Sequence, residues 1–293
     1  MRKQEALQGV LSVLPLVIVL VLVRAYPIAT DVVKSFTNWD GLTKNDWVGF
    51  NNYLDILKSG EFFLLLRNNL VLLLHIPIQM FAGFILAILL YEEIAGWKFF
   101  RSVFFFPSII SAVIIGYVFN IVFDSEGIFN SFLKAVGLNF LAVEWLGNSI
   151  TALIVINFCL VWHGVGWQVL ILLGGLSGIS PSVIESARID GASYFQRLFR
   201  IIMPMMLRVV EYILIISVMW VFTGLFPFIF SMTGGGPGIE TSTLDYMIYT
   251  KAFAFGISEL GSACAMSIIL LVIVLFLSKV QMMAADKVDD WGE

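Results

Sequence analysis

Charge is scarce in this 293-residue chain: 13% of its residues are Asp, Glu, Lys or Arg against 59% hydrophobic, and the mean hydropathy is +0.94. A soluble domain carries about 25% charged residues, so the composition excludes that class and assigns the chain to a bilayer. The net charge of −4 and basic residues that are local rather than a stripe give no reason to expect nucleic acid as a partner. Cysteine occurs only as Cys159 and Cys264, each inside an apolar run, where it reads as a small hydrophobe rather than half of a bridge or a redox pair. Two histidines and no Cys/His cluster leave no metal site. The chain has no GxxxxGK[ST], so it lacks the phosphate cradle of a nucleotide hydrolase. A membrane enzyme would need nucleophile, acid or metal ligands converging at membrane depth, and no such set occurs. Internal repeats and low-complexity segments are also lacking.

What is abundant is apolar sequence. A helix needs roughly twenty apolar residues to cross the hydrocarbon core, and six stretches come near that: Leu7 to Ile28, Asn69 to Tyr91, Ser102 to Phe123, Ile150 to Leu176, Val209 to Met232 and Gly261 to Lys279. The first has a basic start but no small-residue cleavage site before Arg24, so it reads as a retained span rather than a signal peptide. The fold expected is all-α, with about six transmembrane helices. If the spans alternate, Arg2 and Lys3, then Lys98 and Arg101, then Arg188, Arg197, Arg200 and Arg208, then Lys279 and Lys287 share one side. The positive-inside rule makes that side, with both termini, cytoplasmic.

The long polar interruption, Ser180 to Pro204, falls on the same side. Ser180 before Pro181 reads as an N-cap with proline at the first helical position, while Ser182 with Glu185 is a competing capping box. Ala187 and Gly191, four apart, offer little side chain and let another surface approach. Asp190 and Gly191 favour a break. From Ser193 a second helix sets Phe195, Leu198, Phe199 and Ile202 on one stripe, with Gln196, Arg197 and Arg200 opposite.

The run Glu185, Ser186, Ala187, then Asp190, Gly191, Ala192, and an apolar stretch to Pro204 resembles the EAA motif of ABC-importer permease subunits, with Ser186 standing where the motif has alanine. SFTNWDG at Ser35 to Gly41, WVGFNNY at Trp47 to Tyr53 and the tract through Thr241, Leu244, Tyr249 and Ala254 are similar to the binding-protein-dependent carbohydrate, maltose-transporter-like type. The resemblance implies one permease domain over 1–293, with its core at about 66–282 and residues 1–65 forming the first span and an external loop. It makes Glu185 to Ala192 and Pro204 a cytoplasmic coupling-helix loop seated in an ATPase subunit. It also implies a second homologous permease, two ATPase subunits carrying ATP and Mg, an extracytoplasmic solute-binding protein, and a bacterial or archaeal cytoplasmic membrane. This chain itself would bind no cofactor and catalyse no reaction.

The segment from Thr30 to Arg67 reads as too long and too aromatic for a connector; Trp39, Trp47, Phe50 and Tyr53 suit a headgroup belt or a docking surface. Gly234, Gly235, Gly236 and Pro237 form a turn rather than a phosphate cradle, because no Gly-Lys-Ser/Thr follows. Under the resemblance this turn docks the binding protein. Neutral polar and aromatic residues within the spans suit a sugar: Gln79 on the second, His163, Gly164 and Trp167 on the fourth, and Trp220, Phe222 and Thr223 on the fifth. His163 reads either as a helix-packing residue or as a substrate contact, and Trp167 and Trp220 as packing or pathway. Phe222 and Leu225 stand where the maltose-permease site has asparagines. An importer of another polar solute, such as glycerol phosphate, would call for more buried lysine or arginine. An ion-coupled secondary transporter would call for buried charge, and Arg24 and Glu211 lie near span ends, within snorkelling reach of the interface.

Overall fold

In lipid every backbone N–H and C=O must find its partner inside the chain, and this sequence meets that demand with helices. The computed structural model describes residues 2–253 and 259–289, with side chains described over 11–253 and 259–284; Ala254 lies outside these. Among the described residues there is no β-strand, only an isolated bridge between Thr37 and Trp47.

Among the described residues four helices are long and apolar enough to cross a membrane: α1, Leu11–Lys34; the helix Gly60–Tyr91; Ser149–Ser177; and Leu260–Ala284. Two bent pairs bring the number to as many as six. The expected third span is one of these. It is broken at Ile110 and Ser111, so that Trp97–Ile109 and Ala112–Val122 meet at 97°. Pro107 withdraws an amide from the last turn of the first piece, and Ile110 turns extended. The fifth span departs from the expected Val209 to Met232 as well. Tyr194–Met205 and Leu207–Thr223 meet at 60°, and the helix then stops at Gly224 before Phe226–Met232 begins with Pro227 in its first turn. Gly-Leu-Phe-Pro marks that stop in the sequence, but a hydropathy window averages over it.

The chain separates into two compact units, residues 1–63 with 247–273, and residues 64–246 with 274–293. In the first, much of the segment expected as one long aromatic loop is helical: α1 runs to Lys34 and α2 is Asn51–Lys58; α3, Gly60–Leu72, follows at once and runs across the division at residue 64. Phe36 stacks on Trp47 at 5.3 Å and meets Phe50 and Tyr53 edge-on or tilted. The Asn52 amide donates to the carbonyls of Ser35 and Thr37. Asp40 accepts the amides of Leu42, Thr43 and Lys44 on one carboxylate oxygen. These hydrogen bonds hold its carboxyl below the usual carboxylate range.

The second unit carries α4, His75–Tyr91; α5, Trp97–Ile109; α6, Ala112–Val122; α7, Ile128–Ala135; α8, Ser149–Ser177; α9, Pro181–Ile189; α10, Tyr194–Met205; α11, Leu207–Thr223; and α12, Phe226–Met232. Helix α13, Leu244–Phe253, and α14, Leu260–Asp289, run across the division. The core forms where α8 lies against α4 and α5, around Phe84, Ala87, Leu90, Val169, Leu172 and Leu176. Small residues permit this approach, as between helices in lipid generally. A Cβ on Gly166 would overlap the backbone of Phe104 and Phe105 on α5, and one on Gly164 would press against the Gln79 side chain of α4 at 2.9 Å.

The broken fifth span is held by buried side chains. Asn69 donates to the Val221 carbonyl at 2.8 Å and accepts the Leu244 amide at 3.1 Å. Asp245 accepts the Phe226 amide at 2.6 Å, closing the N-terminus of α12. Burial pushes the Asp245 carboxyl up, against the hydrogen bonds from Thr243, Phe226 and Tyr246.

Candidate functional site: a mid-span cavity and an exposed helical loop

Helices α4, α5, α8 and α11 line a cavity of about 320 Å³. Helix α4 contributes His75 and Gln79, one turn apart on the same face, and the end of α5 contributes Ser108. From α8 come His163, Gly164 and Trp167, and from α11 Ser217 and Trp220. Leu160 and Ile216 supply apolar wall. Among the described lining residues there is no Asp, Glu, Lys or Arg.

The walls are set by backbone events. At the break in α5 the Ser108 hydroxyl donates to the His163 carbonyl at 2.7 Å and accepts the Trp167 amide at 3.2 Å. Thus the break is pinned to the backbone of α8 at His163. An aromatic cluster closes one side: Phe228 of α12, fully buried, lies 5.1 Å from the His163 ring and 5.8 Å from Trp220. The Trp220 indole also meets His75 edge-on at 6.3 Å.

Of the residues expected along the pathway, Gln79, His163, Gly164, Trp167 and Trp220 converge here. Phe222 and Thr223 do not. Phe222 is 1% exposed and lies outside the lining, and the Thr223 hydroxyl is spent on the Met219 carbonyl. Successive positions on a helix turn by about 100°, so Phe222, two positions on, points away from the face of Trp220. His75, Ser108 and Ser217 are cavity residues that the sequence reading missed. The pairing of His75 with Gln79 at i and i+4 was a visible signal; Ser108 depended on the break.

The Ser180 to Pro204 segment is a folded loop with its own caps. Ser180 is the N-cap of α9 and Pro181 the first helical residue, but Ser182 and Glu185 form no box; the Ser182 hydroxyl bonds that of Ser180 at 2.8 Å. The capping box forms one helix later, where Ser193 accepts the Gln196 amide and Gln196 accepts the Ser193 amide at 2.7 Å. Helix α9 ends in a Schellman turn: Ala192 donates to the Ala187 carbonyl at 2.9 Å and Gly191 to that of Arg188 at 3.1 Å, with Gly191 at φ +78°. Gly191 is therefore past the helix and does not share a helical face with Ala187. Ala187 is buried within this chain, so the surface that the loop presents consists of Glu185, Ser186, Arg188, Asp190, Gly191 and above all Ile189, 86% exposed. Leu198 and Ile202 turn to the core while Phe195 and Phe199 remain exposed, so the expected single stripe divides. A wide turn, Met203 N–H to the Leu198 carbonyl, precedes exposed Pro204.

Gly234, Gly235, Gly236 and Pro237 lie in a packed turn. Tyr246 donates to the Gly234 carbonyl at 3.0 Å and Thr241 to that of Gly236 at 2.8 Å. Gly235, at φ +83°, is buried where a Cβ would overlap Ser242. Gly234 and Pro237 are exposed.

A multi-pass helical membrane protein with an uncharged mid-span cavity and an ordered polar loop belongs, by architecture, among the proteins that pass solutes across a bilayer. Residues 64–289 match the family of binding-protein-dependent transport system inner membrane components, and the chain belongs to that family. It is 34% identical to the multiple sugar-binding transport system permease protein MsmF of Streptococcus mutans, over 89% of each chain. It is 28% identical to the sn-glycerol-3-phosphate transport system permease protein UgpA of Rhizobium meliloti, over 96% of each. A bacterial alginate ABC transporter, solved with a pentasaccharide-bound periplasmic protein, contains a chain that superposes with TM-score 0.81 at 20% identity, covering 96% of this chain and 93% of that one.

Proposed function

We propose that this chain is the permease subunit of an ATP-driven importer for an uncharged oligosaccharide, and that the sugar passes through the cavity between α4, α8 and α11. The observation that carries the reading is the lining. Trp167 and Trp220 offer faces for the apolar side of a pyranose, while Gln79, His75, His163, Ser108 and Ser217 offer hydrogen-bonding groups. The relatives include a permease named for sugars and one named for an anion. An anionic solute in a site of low dielectric calls for a cation beside it, and none lines this cavity.

ATP and Mg would be held by two separate ATPase subunits, with a second homologous permease completing the pathway in a bacterial or archaeal cytoplasmic membrane. Both termini and the loop from Glu185 to Ala192, with Pro204, face the cytoplasm in this reading. Ile189, Ser186 and Gly191 seat in the ATPase. The turn Gly234 to Pro237 receives an extracytoplasmic binding protein. The single permease domain has its core at about 66–282. ATP-driven closure of the ATPases draws the two permease loops together and switches the cavity between its outward and inward openings, which requires that ATP favour one state over the other.

The test is uptake by the assembled complex in proteoliposomes, offering neutral di- and trisaccharides, glycerol 3-phosphate and alginate oligosaccharide side by side. ATP-dependent accumulation of a neutral sugar is the expected result; transport of the anions alone overturns the substrate class.

A further inference from the structure

The helix that begins at Gly60 is interrupted at Leu73 and Leu74, so α4 starts afresh at His75. At the interruption the Ile76 amide turns to the Leu73 carbonyl at 3.0 Å, which leaves the Leu72 carbonyl without its helical donor. His75 supplies one: its Nδ1 lies 2.5 Å from the Leu72 oxygen. A carbonyl oxygen only accepts, so the proton of that bond belongs to Nδ1. No carboxylate lines the cavity to pair an imidazolium. A neutral ring in that bond has its single proton on Nδ1, committed to the backbone, and a bare lone pair on Nε2.

His75 is 3% exposed and lines the cavity beside Gln79 and Trp220. We propose that His75 is a specificity-determining residue of the transport site: its Nε2 accepts a hydrogen bond from a saccharide hydroxyl while the Trp220 edge and the Leu72 carbonyl hold the ring in place. The interruption in the helix thereby creates an acceptor where helix carbonyls are otherwise spent on their own amides. A sugar hydroxyl can donate there, whereas a group that only accepts, such as a phosphate dianion or a carboxylate, meets a lone pair. His75 thus deepens the reading of the cavity as the place where the sugar binds, and rests on it.

The test uses the whole transporter in proteoliposomes with its binding protein, and maltose, trehalose, sucrose and raffinose as probes. For the probe that the native complex carries, His75→Phe keeps the aromatic volume against Trp220 but has no acceptor. Uptake falls about tenfold, the worth of one neutral hydrogen bond at the upper end of its range. His75→Gln restores an acceptor oxygen and retains most of the native rate. A role in packing alone reverses the order, with Phe tolerated and Gln slow, and overturns the proposal. Trp220→Ala separates this from the parent reading: if it is slow while His75→Phe runs at the native rate, only the role of His75 falls, and if both run at the native rate the cavity itself is not the pathway. Independently of uptake, ¹⁵N spectra of the histidine-labelled complex, with His75 assigned by its loss in His75→Phe, show a protonated Nδ1 and a bare Nε2. A proton on Nε2 overturns the proposal whatever the uptake rates of the variants.

Discussion

Gly191 stands at φ +78° with open space where a Cβ would be, so two effects of substitution separate there. Alanine carries only the backbone cost of the left-handed turn, about 1 kcal/mol. Tryptophan carries the same cost and adds bulk outside the chain. Gly191→Ala is expected to retain most transport. Gly191→Trp inserts normally, yet its ATP hydrolysis no longer drives uptake; full uptake with stimulated hydrolysis in that variant counts against a partner seated on the loop. Asp40 gives the pH dependence. Its carboxyl is held low by three amides, so the stabilisation of the turn is present above the ordinary carboxylate value of 3.8 and is lost as pH falls through the depressed value. Hydrogen exchange at Leu42, Thr43 and Lys44 is expected to stay slow through mild acid and to quicken only well below 3.8. The turn chemistry around Asp190, Gly191 and Ser193 was legible, because caps are local. That Ala187 faces inward was not, because a small residue reads the same whether its neighbour is its own chain or another.

At the level of helices, close approach on one side of α8 decides the cavity wall. Gly166→Ala drives a methyl into the backbone of α5 and is expected to destabilise the protein by about 1–3 kcal/mol, as overpacking does. Gly174→Ala, eight positions on in the same helix, meets nothing within 4 Å and gains helix propensity, so it is neutral or stabilising. Thermal unfolding of the two variants in detergent distinguishes them, and equal melting points show that the Gly166 contact does not matter. The breaks at Ile110 and Gly224 were missed as breaks although Pro107 and Gly-Leu-Phe-Pro were in plain view. Membrane helices tolerate proline and glycine when neighbours satisfy the freed groups, so those residues alone did not say whether the span continued. Ser108, Asn69 and Asp245 supply that satisfaction, and each acts across a long sequence separation.

For the molecule as a whole the open question is sidedness, which the distribution of lysine and arginine assigns and chemistry can check. Both native cysteines are buried, and Ser186 and Pro237 are exposed. With a membrane-impermeant maleimide, Ser186→Cys is expected to react in inverted vesicles and to be silent in intact cells, with Pro237→Cys behaving oppositely. Labelling of Ser186→Cys from outside intact cells reverses the orientation and removes the loop from any ATPase on the inner face.

Membrane embedding, helical class and the position of the polar loop were readable from the order of residues, because the cost of hydrocarbon burial is summed residue by residue along each span. The start of α9 at Ser180 and Pro181 and of α10 after Ser193 were readable because such signals are local, whereas the box expected at Ser182 and Glu185 does not form. Which side chains share the cavity was another matter. His75, Ser108, Trp167 and Trp220 meet because glycines bring α8 against α4 and α5, because Ser108 is bonded to α8 at the break before Ile110, and because Phe228, beyond the stop at Gly224, packs on His163 and Trp220. Hydropathy is blind to such turns, since a helix that bends by 97° is as apolar as one that runs straight.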